Sequence, residues 1–240
     1  MCLVVKQGLL PADSAKNKKS VLKSLRLLLM AWLGNRDIFL DFDEEDLIFR
    51  DLFGAVMREL SQQTDYHCVE ESLHILGYFC HHGDHFIAQL NDLDLHDVLH
   101  SVLTISEQPK WVSRTLWIIQ LILCDQLIYC ERLVRDGDLF GKVIDCLNNS
   151  LDAQVHLQAL TAVNSFILRD DCPHLVAKAD QDHPGMLQGL VRRGLKSCSA
   201  NGKALRQSLQ SLHYLLVLDA KKQVCSGDRL VPRLEALEAD

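Results

Sequence analysis

Residues 109–168 read PKWVSRTLWIIQLILCDQLIYCERLVRDGDLFGKVIDCLNNSLDAQVHLQALTAVNSFIL. Apolar residues recur in this stretch at i, i+3, i+4 and i+7, which is the spacing of half-buried helices. Three such stripes are present, and turns at 135–138 and 148–150 separate the second stripe from its neighbours. They comprise Trp111, Leu116, Ile119, Ile122 and Leu123; Leu139, Val143, Ile144 and Leu147; and Val155, Leu157, Leu160, Val163, Phe166 and Ile167. The stretch therefore predicts a set of packed helices.

Imperfect copies of this unit occupy most of the chain. Each strong helix carries a small or polar residue followed by leucine, at 24–25, 72–73, 115–116, 159–160 and 208–209. These leucines are 48, 43, 44 and 49 residues apart. The leucines that end the preceding helices, at positions 60, 103, 147 and 195, are 43, 44 and 48 apart. Both series keep a period close to the 40–47 residues of HEAT and armadillo units.

The second half of the 109–168 stretch resembles an armadillo repeat. RLVRDGDL at 132–139 and VIDCL at 143–147 look like the short first helix, the glycine corner and the second helix of that family. Residues 155–168 look like its long third helix. The resemblance extends over 21–218 and implies an all-α, right-handed armadillo-like helical-repeat solenoid, an α-α superhelix. In such a fold the long helices of successive repeats line a concave groove.

The chain departs from the family at its corners and along its long helices. A corner glycine is present at Gly137 and Gly185, whereas the other two corners read NDLD at 91–94 and DEED at 43–46. The Trp/Asn ladder with which nuclear-import receptors of this family hold basic peptides is absent. The chain is therefore not predicted to be a receptor of that kind.

The period divides residues 1–240 into a single armadillo-like domain of about four units. We expect these units at 20–60, 67–103, 111–147 and 155–195, followed by a terminal helix at 205–218 and a weakly helical tail at 219–240. Between helices we expect a polar loop at 14–19 ahead of a cap at Ser20, a turn at 34–46 and a polar connection at 170–184. Residues 1–10 look like the remnant of a preceding repeat, which predicts an isoform or fragment of a longer solenoid.

Composition favours an intracellular helical protein without a cofactor. The hydrophobic fraction of 48% and charged fraction of 24% are typical of globular domains. The net charge of −7 disfavours a general nucleic-acid binder. Neither a secretory signal nor an apolar run of the roughly 20 residues that span a membrane is present. The nine cysteines contain no CxxC pair and are interpreted as reduced thiols. We expect a soluble cytoplasmic or nuclear protein.

Catalytic signatures are absent, so the chain is predicted not to be an enzyme. We find no GxSxG, P-loop, GxGxxG, HExxH or kinase motif. The main local anomaly is a histidine cluster formed by His67, His74, His81, His82, His85, His96 and His100. The last two are four residues apart and could share one helix face, so a metal-binding module over 67–100 remains an alternative, although no metal is assigned. The acidic run at 41–51 is interpreted as favourable charge at a helix N-terminus.

The function favoured by the pattern is a non-catalytic scaffold or adaptor that binds an extended or helical segment of another protein in the groove. From helical phase, the predicted partner-binding residues are Arg26, Trp32, His74, Tyr78, Trp117, Gln120, Asn164 and His213. The two tryptophans have a competing interpretation as core residues. Another alternative is a nucleic-acid- or chromatin-associated protein that uses a basic patch of Arg192, Arg193, Lys196, Lys203 and Arg206. The oligomeric state is not predicted.

Overall fold

A computed structural model describes residues 15–33, 42–62, 65–82, 87, 90, 92–125, 130–132, 134, 138–169, 173–183, 185–197 and 201–222. Its helices are α1 Ala15–Leu33, α2 Phe42–Gln62, α3 Tyr66–His82, α4 Leu95–Ile105, α5 Pro109–Asp125, α6 Leu139–Asn149, α7 Ala153–Ile167, α8 Pro173–Asp182, α9 Gly185–Gly189 and α10 Gly202–Lys222. None of these described helices combines the length and apolarity needed to cross a membrane. The chain forms two compact units, Met1–Leu121 and Ile122–Asp240.

The first unit packs long helices against one another at their small residues. Helices α1 and α2 both pack against α3, and α2 also contacts α4. Ser72 of α3 and Thr115 of α5 are both fully buried. The rings of Phe53 and Phe79 meet edge to face with centroids 4.7 Å apart, which joins α2 to α3. Small residues at the contacts let neighbouring helix backbones approach closely, so the residue before each repeat leucine serves packing.

The second unit repeats this arrangement. Helix α7 packs against α6 and α10, and α9 packs against α6. Ala159 of α7 and Ser208 of α10 occupy the same repeat position as the small residues of the first unit, and both are fully buried. Phe140 and Phe166 place their ring centroids 4.9 Å apart between α6 and α7. The landmark that revealed the repeat is therefore a packing position.

Helices with a strong apolar period lie close to their predicted positions. Helices α5, α6 and α7 occupy the 109–168 stretch, and their stripes are buried, including Leu116, Val143 and Val163. The terminal helix is also present, although it is longer than the predicted 205–218. The all-α fold class is thus confirmed for the described residues.

Two predicted helix starts are wrong. Helix α1 begins at Ala15, so the predicted loop at 14–19 is largely helical and Ser20 lies inside the helix. Lysine is a good helix former, and a polar first turn does not prevent helix formation. Helix α2 begins at Phe42, within the turn predicted at 34–46. Its first turn contains the acidic residues of the 43–46 corner, where negative charge complements the helix dipole.

The predicted connection at 170–184 contains a helix that the sequence analysis missed. Helix α8 begins at Pro173, which suits a first helical position because that position needs no backbone N–H. Leu175, Val176 and Ala179 are buried on one side of it. The polar face carried by Lys178 and its neighbours hid this short apolar stripe.

A corner without glycine uses an aspartate in the left-handed region. Asp94 has φ 59° and ψ 39° and immediately precedes α4. Asp and Asn adopt this conformation more readily than other non-glycine residues. The NDLD corner at 91–94 can therefore end with the same backbone geometry that glycine supplies elsewhere.

The predicted helix at 186–195 changes type along its length. Helix α9 is α-helical over Gly185–Gly189 and continues as a π-helix over Leu190–Ser197. Its two ends contact different neighbours. A Cβ added to Gly189 would lie 2.7 Å from Cγ of Leu147, and one added to Gly194 would lie 2.6 Å from Cβ of Ser208. This segment therefore packs against both α6 and α10 through glycine.

Some predictions lie outside the described residues. These are the repeat remnant at 1–10, the glycine corner at 135–137 and the tail beyond Lys222. The division into four units within one domain stays a prediction.

Candidate partner-binding surfaces

Polar side chains gather on the long helices of the first unit. Nε of Arg26 on α1 lies 2.8 Å from Oε2 of Glu71 on α3, and both side chains are largely covered. His74 lies one turn further along α3 and is half-buried, as is Tyr78 after one more turn. Residues four apart share a helix face. Helices α1 and α3 therefore present one polar surface.

Helix α5 adds an arginine stacked on a tryptophan. The guanidinium carbon of Arg114 lies 5.1 Å from the centroid of the Trp117 ring, which is within the range of a cation–π interaction. The same indole lies against Gly77 of α3, and a Cβ added there would be 3.0 Å from Cε3 and closer still to Cζ3. His81 approaches the ring with centroids 6.4 Å apart. Trp117 thus packs on one side and offers a half-buried surface on another.

The electrostatics of His74 reflect this crowding. Burial lowers the pKa of His74 below its usual 6.5, and the positive charges of Arg114 and Arg26 lower it further, against a smaller raising effect of Glu70. Burial also lowers the pKa of Arg114. His74 is therefore neutral at pH 7. A neutral imidazole can both donate and accept a hydrogen bond.

This pKa predicts a pH dependence. A histidine whose pKa is depressed in the folded state binds its proton more readily when unfolded, so its contribution to stability is complete above pH 6.5 and is lost as the pH falls towards the folded pKa. We expect Arg114→Gln to raise the pKa of His74, because the substitution removes a nearby positive charge. An NMR titration of the imidazole measures this shift.

A matched control is present in the second unit. Burial and Arg193 lower the pKa of His156 below its usual 6.5. That pKa should stay unchanged in Arg114→Gln. A pKa of His74 that does not move in the variant would contradict the role given to Arg114.

Asn164 does not lie on the exposed groove surface that the sequence predicted. It is 1% exposed. Its Nδ2 donates to Oγ of Ser208 at 3.3 Å, and Oγ of Ser211 donates to its Oδ1 at 2.7 Å. Helical phase placed it correctly on the side facing the next long helix, but α10 covers that side. The predicted exposure of Asn164 is therefore wrong, and its side chain joins α7 to α10.

His213 lies on an open groove of about 680 Å³. The groove is bordered by Leu168 after α7 and by one face of α10. His213 is exposed there, as are Lys203 and Arg206 of the predicted basic patch. Arg206 also lines the groove. Two of the five patch residues therefore share a helix with a predicted partner-binding residue.

The other basic residues have different surroundings. Nη2 of Arg193 donates to the backbone oxygen of Asn148 at 3.0 Å, so Arg193 holds α9 to the end of α6. Both Nη atoms of Arg192 are within hydrogen-bond distance of the Gln188 side-chain amide, at 3.2 and 3.3 Å. The side chains of Lys196 and of Trp32 lie outside the described residues. Gln120 is half-buried on α5.

Solved structures resemble the chain over nearly all of its length. A designed armadillo repeat protein has a TM-score of 0.69 at 14% identity, with 90% of this chain and 82% of that chain covered. Computationally designed armadillo repeat proteins for modular peptide recognition give 0.70 at 13% identity, with 100% and 92% covered. The chain has the armadillo-repeat fold. No family model and no curated protein sequence matches it.

A further designed armadillo repeat protein was solved in complex with the peptide (KR)4. It has a TM-score of 0.58 and 13% identity, and the match covers 89% of this chain and 98% of that chain. At this identity the likeness establishes the fold. Because one fold supports many functions, the binding properties of this armadillo chain must be argued from its own residues.

Sequence reasoning missed Arg114. It selected Trp117 and Gln120 on the same helix, but the partner that gives the indole its polar character is the arginine one turn earlier. The i, i+3 spacing of Arg114 and Trp117 was the available signal. An armadillo long helix shows such pairs only when its buried side is known.

The histidine cluster does not assemble into a metal site in the described part of the armadillo fold. Among the described residues no group of three or more His, Cys, Asp or Glu side chains is placed to hold an ion. His67 and His81 are exposed, whereas His96 and His100 are half-buried on α4. His85 and the side chain of His82 lie outside the described residues.

The buried thiols fit a packing role. Cys68, Cys80 and Cys130 are buried free cysteines. Burial and the nearby charge of Asp145 raise the pKa of Cys146 to about 11, against a smaller lowering effect of Lys142. Because the thiolate is the reactive form, Cys146 is an unreactive thiol at neutral pH.

Proposed function

We propose that this chain is a non-catalytic interaction scaffold that binds a segment of another protein on the long helices of its first unit. The observation that carries the proposal is the stack of Arg114 on Trp117 beside His74 and Tyr78. Arginine and aromatic residues are the residue types enriched at the centres of protein interfaces. In this unit they lie together on packed helices, half-buried rather than fully exposed.

The surface suits recognition of a polar peptide. Its aromatic rings supply contact area, neutral His74 supplies a donor and an acceptor, and Gln120 supplies an amide. Two of its side chains, Arg26 and Glu71, already form an ion pair, which leaves both signs of charge available at the rim. The armadillo neighbour solved with (KR)4 supports peptide binding as a use of this fold.

The test compares partners recovered by the wild-type chain and by Arg114→Gln. Tagged proteins are purified from cells and their partners identified by quantitative mass spectrometry. We expect a small set of partners to fall by about 10-fold in the variant, because an interface arginine at a hot spot contributes at least ~2 kcal/mol. Trp117→Phe should give a smaller loss, since phenylalanine is a weaker cation–π partner than tryptophan.

A matched control is Arg58→Gln on α2, an exposed arginine of the same unit. It should retain the partners. Circular dichroism must show equal helicity in all variants. Recovery of chaperones alone, or equal loss in Arg58→Gln, would contradict the proposed surface. Binding of the recovered partner is then measured with the purified partner segment by fluorescence anisotropy.

A further inference from the structure

The repeat leucine of the last long helix differs from its counterparts. This leucine is 3% exposed at position 25, 1% at 73, 0% at 116 and 1% at 160, but 53% exposed at Leu209. The residue before it, Ser208, is fully buried against Asn164 and Gly194. Helix α10 therefore presents its packed side to α7, while the side that is covered in other repeats is open.

This open side forms a groove with an apolar centre. Leu168, Leu205 and Leu209 line the 680 Å³ groove together with Tyr214. Val217 continues the exposed stripe two turns beyond Leu209 at 37% exposure. The positions 206, 209, 213 and 217 follow helical spacing, so the stripe runs along the helix axis. From 203 to 217 it is about 21 Å long at 1.5 Å per residue.

The charge of this stripe opposes that of the chain. Residues 202–218 contain no Asp or Glu, although the chain carries a net charge of −7. Lys203, Arg206 and His213 are all exposed on it. A complementary surface therefore needs apolar residues at its centre and acidic residues at its edges. A nucleic-acid backbone would supply the negative charge but would leave Leu209 and Val217 without apolar contacts.

We propose that the open side of α10 docks an acidic amphipathic helix of another protein. About four turns of such a helix match the length of the stripe. Its leucines, at i, i+3 or i+4, and i+7, would bury Leu209 and Val217, and its Asp and Glu residues would face Lys203 and Arg206. This surface lies entirely in the second unit, so it stands independently of the surface around Arg114.

The experiment uses the full chain and three fluorescein-labelled synthetic 18-residue peptides of helical design. The first peptide has a leucine stripe flanked by glutamates, the second replaces the glutamates with lysines, and the third scrambles the leucine positions. We expect the first to bind and the other two to bind at least about 10-fold more weakly, as measured by anisotropy. Binding should weaken as salt rises.

Variants locate the site. Leu209→Gln should weaken binding by about 10-fold or more, since one buried leucine contributes roughly 1.5–3 kcal/mol. Lys203→Glu combined with Arg206→Glu should weaken binding similarly and reduce its salt dependence. The matched control is Leu151→Gln, because Leu151 is 99% exposed in the same unit and lies outside the groove. It should bind like the wild type.

Three outcomes would overturn the proposal. The first is equal binding of the acidic and basic peptides. The second is tighter binding of a 20-nucleotide single-stranded DNA than of the acidic peptide, with loss in Arg206→Glu, which would assign the stripe to nucleic acid. The third is peptide binding that appears only after Leu234→Gln and Leu237→Gln, which would show that the chain's own tail occupies the groove.

Discussion

Asn164→Ala is expected to lower the free energy of unfolding by about 2–4 kcal/mol. The substitution removes both hydrogen bonds that join α7 to α10, and it leaves the hydroxyls of Ser208 and Ser211 in a buried site. A buried polar group without a partner costs about 1–3 kcal/mol, and the lost side-chain volume adds to this. Urea unfolding followed by circular dichroism measures the change.

The control for Asn164 is Asn149→Ala at the exposed end of α6. This substitution should change stability by less than about 0.5 kcal/mol. A double-mutant cycle with Ser211→Ala should give a coupling energy of about 0.5–3 kcal/mol, since the two side chains share a hydrogen bond. Equal stability of the two asparagine variants would show that the network does not hold α7 to α10.

The burial of Asn164 also changes how binding data are interpreted. A variant that loses this side chain loses stability first, so any fall in partner recovery would reflect the fold. Arg114→Gln avoids this difficulty because Arg114 is half-buried on the surface of α5. Tests of the binding surface therefore belong on α5 and α3 rather than on α7.

Gly77→Ala is expected to lower the free energy of unfolding by about 1–3 kcal/mol, the usual cost of adding atoms to a packed core. The added Cβ would overlap Cζ3 of Trp117, and Cη2 would lie only 3.1 Å away. A ring held between two helices cannot move aside as the end of a flexible side chain can. Thermal and urea unfolding both report the loss.

Helix propensity alone predicts the opposite sign. Alanine is more favourable than glycine in a helix interior by about 1 kcal/mol. Gly54→Ala on α2 therefore serves as the control, because nothing lies within 4 Å of a Cβ added there. We expect Gly54→Ala to stabilise the chain and Gly77→Ala to destabilise it. If both stabilise, the close contact between α3 and Trp117 is contradicted.

The same contact makes a second test available. Combining Gly77→Ala with Trp117→Leu should cost less than the sum of the single substitutions, because the smaller side chain makes room for the added methyl group. This result would separate the packing role of the indole from its role beneath Arg114. An additive result would place the clash elsewhere.

The sequence predicted the fold wherever apolar periodicity was strong. Helices α5 to α7 carry long stripes, so both their existence and their order were readable. Helix α8 was missed because its buried stripe is only Leu175, Val176 and Ala179 within a polar, proline-flanked segment. The lysine-rich start of α1 was interpreted as a loop for the same reason, since polarity alone does not distinguish a loop from an exposed helical turn.

The candidate site was only partly predictable. Phase along a helix tells which residues share a face, and it brought together His74 and Tyr78 correctly. It does not tell whether another helix covers that face, which is why Asn164 was expected to be exposed. The pairing of Arg114 with Trp117 is a matter of side-chain geometry, and helical phase alone did not single it out.

The π-helical turn after Gly189 has a consequence for how this chain tolerates changes in length. In an α-helix, one extra residue rotates everything beyond it by about 100°. A π turn takes up an added residue within the helix, so Gly189 can face α6 while Gly194 still faces Ser208. A single deletion between these glycines would return the segment to a regular α-helix and turn Gly194 away from α10. Insertions and deletions here would thus act as rotations, with the cost felt at a contact several residues away.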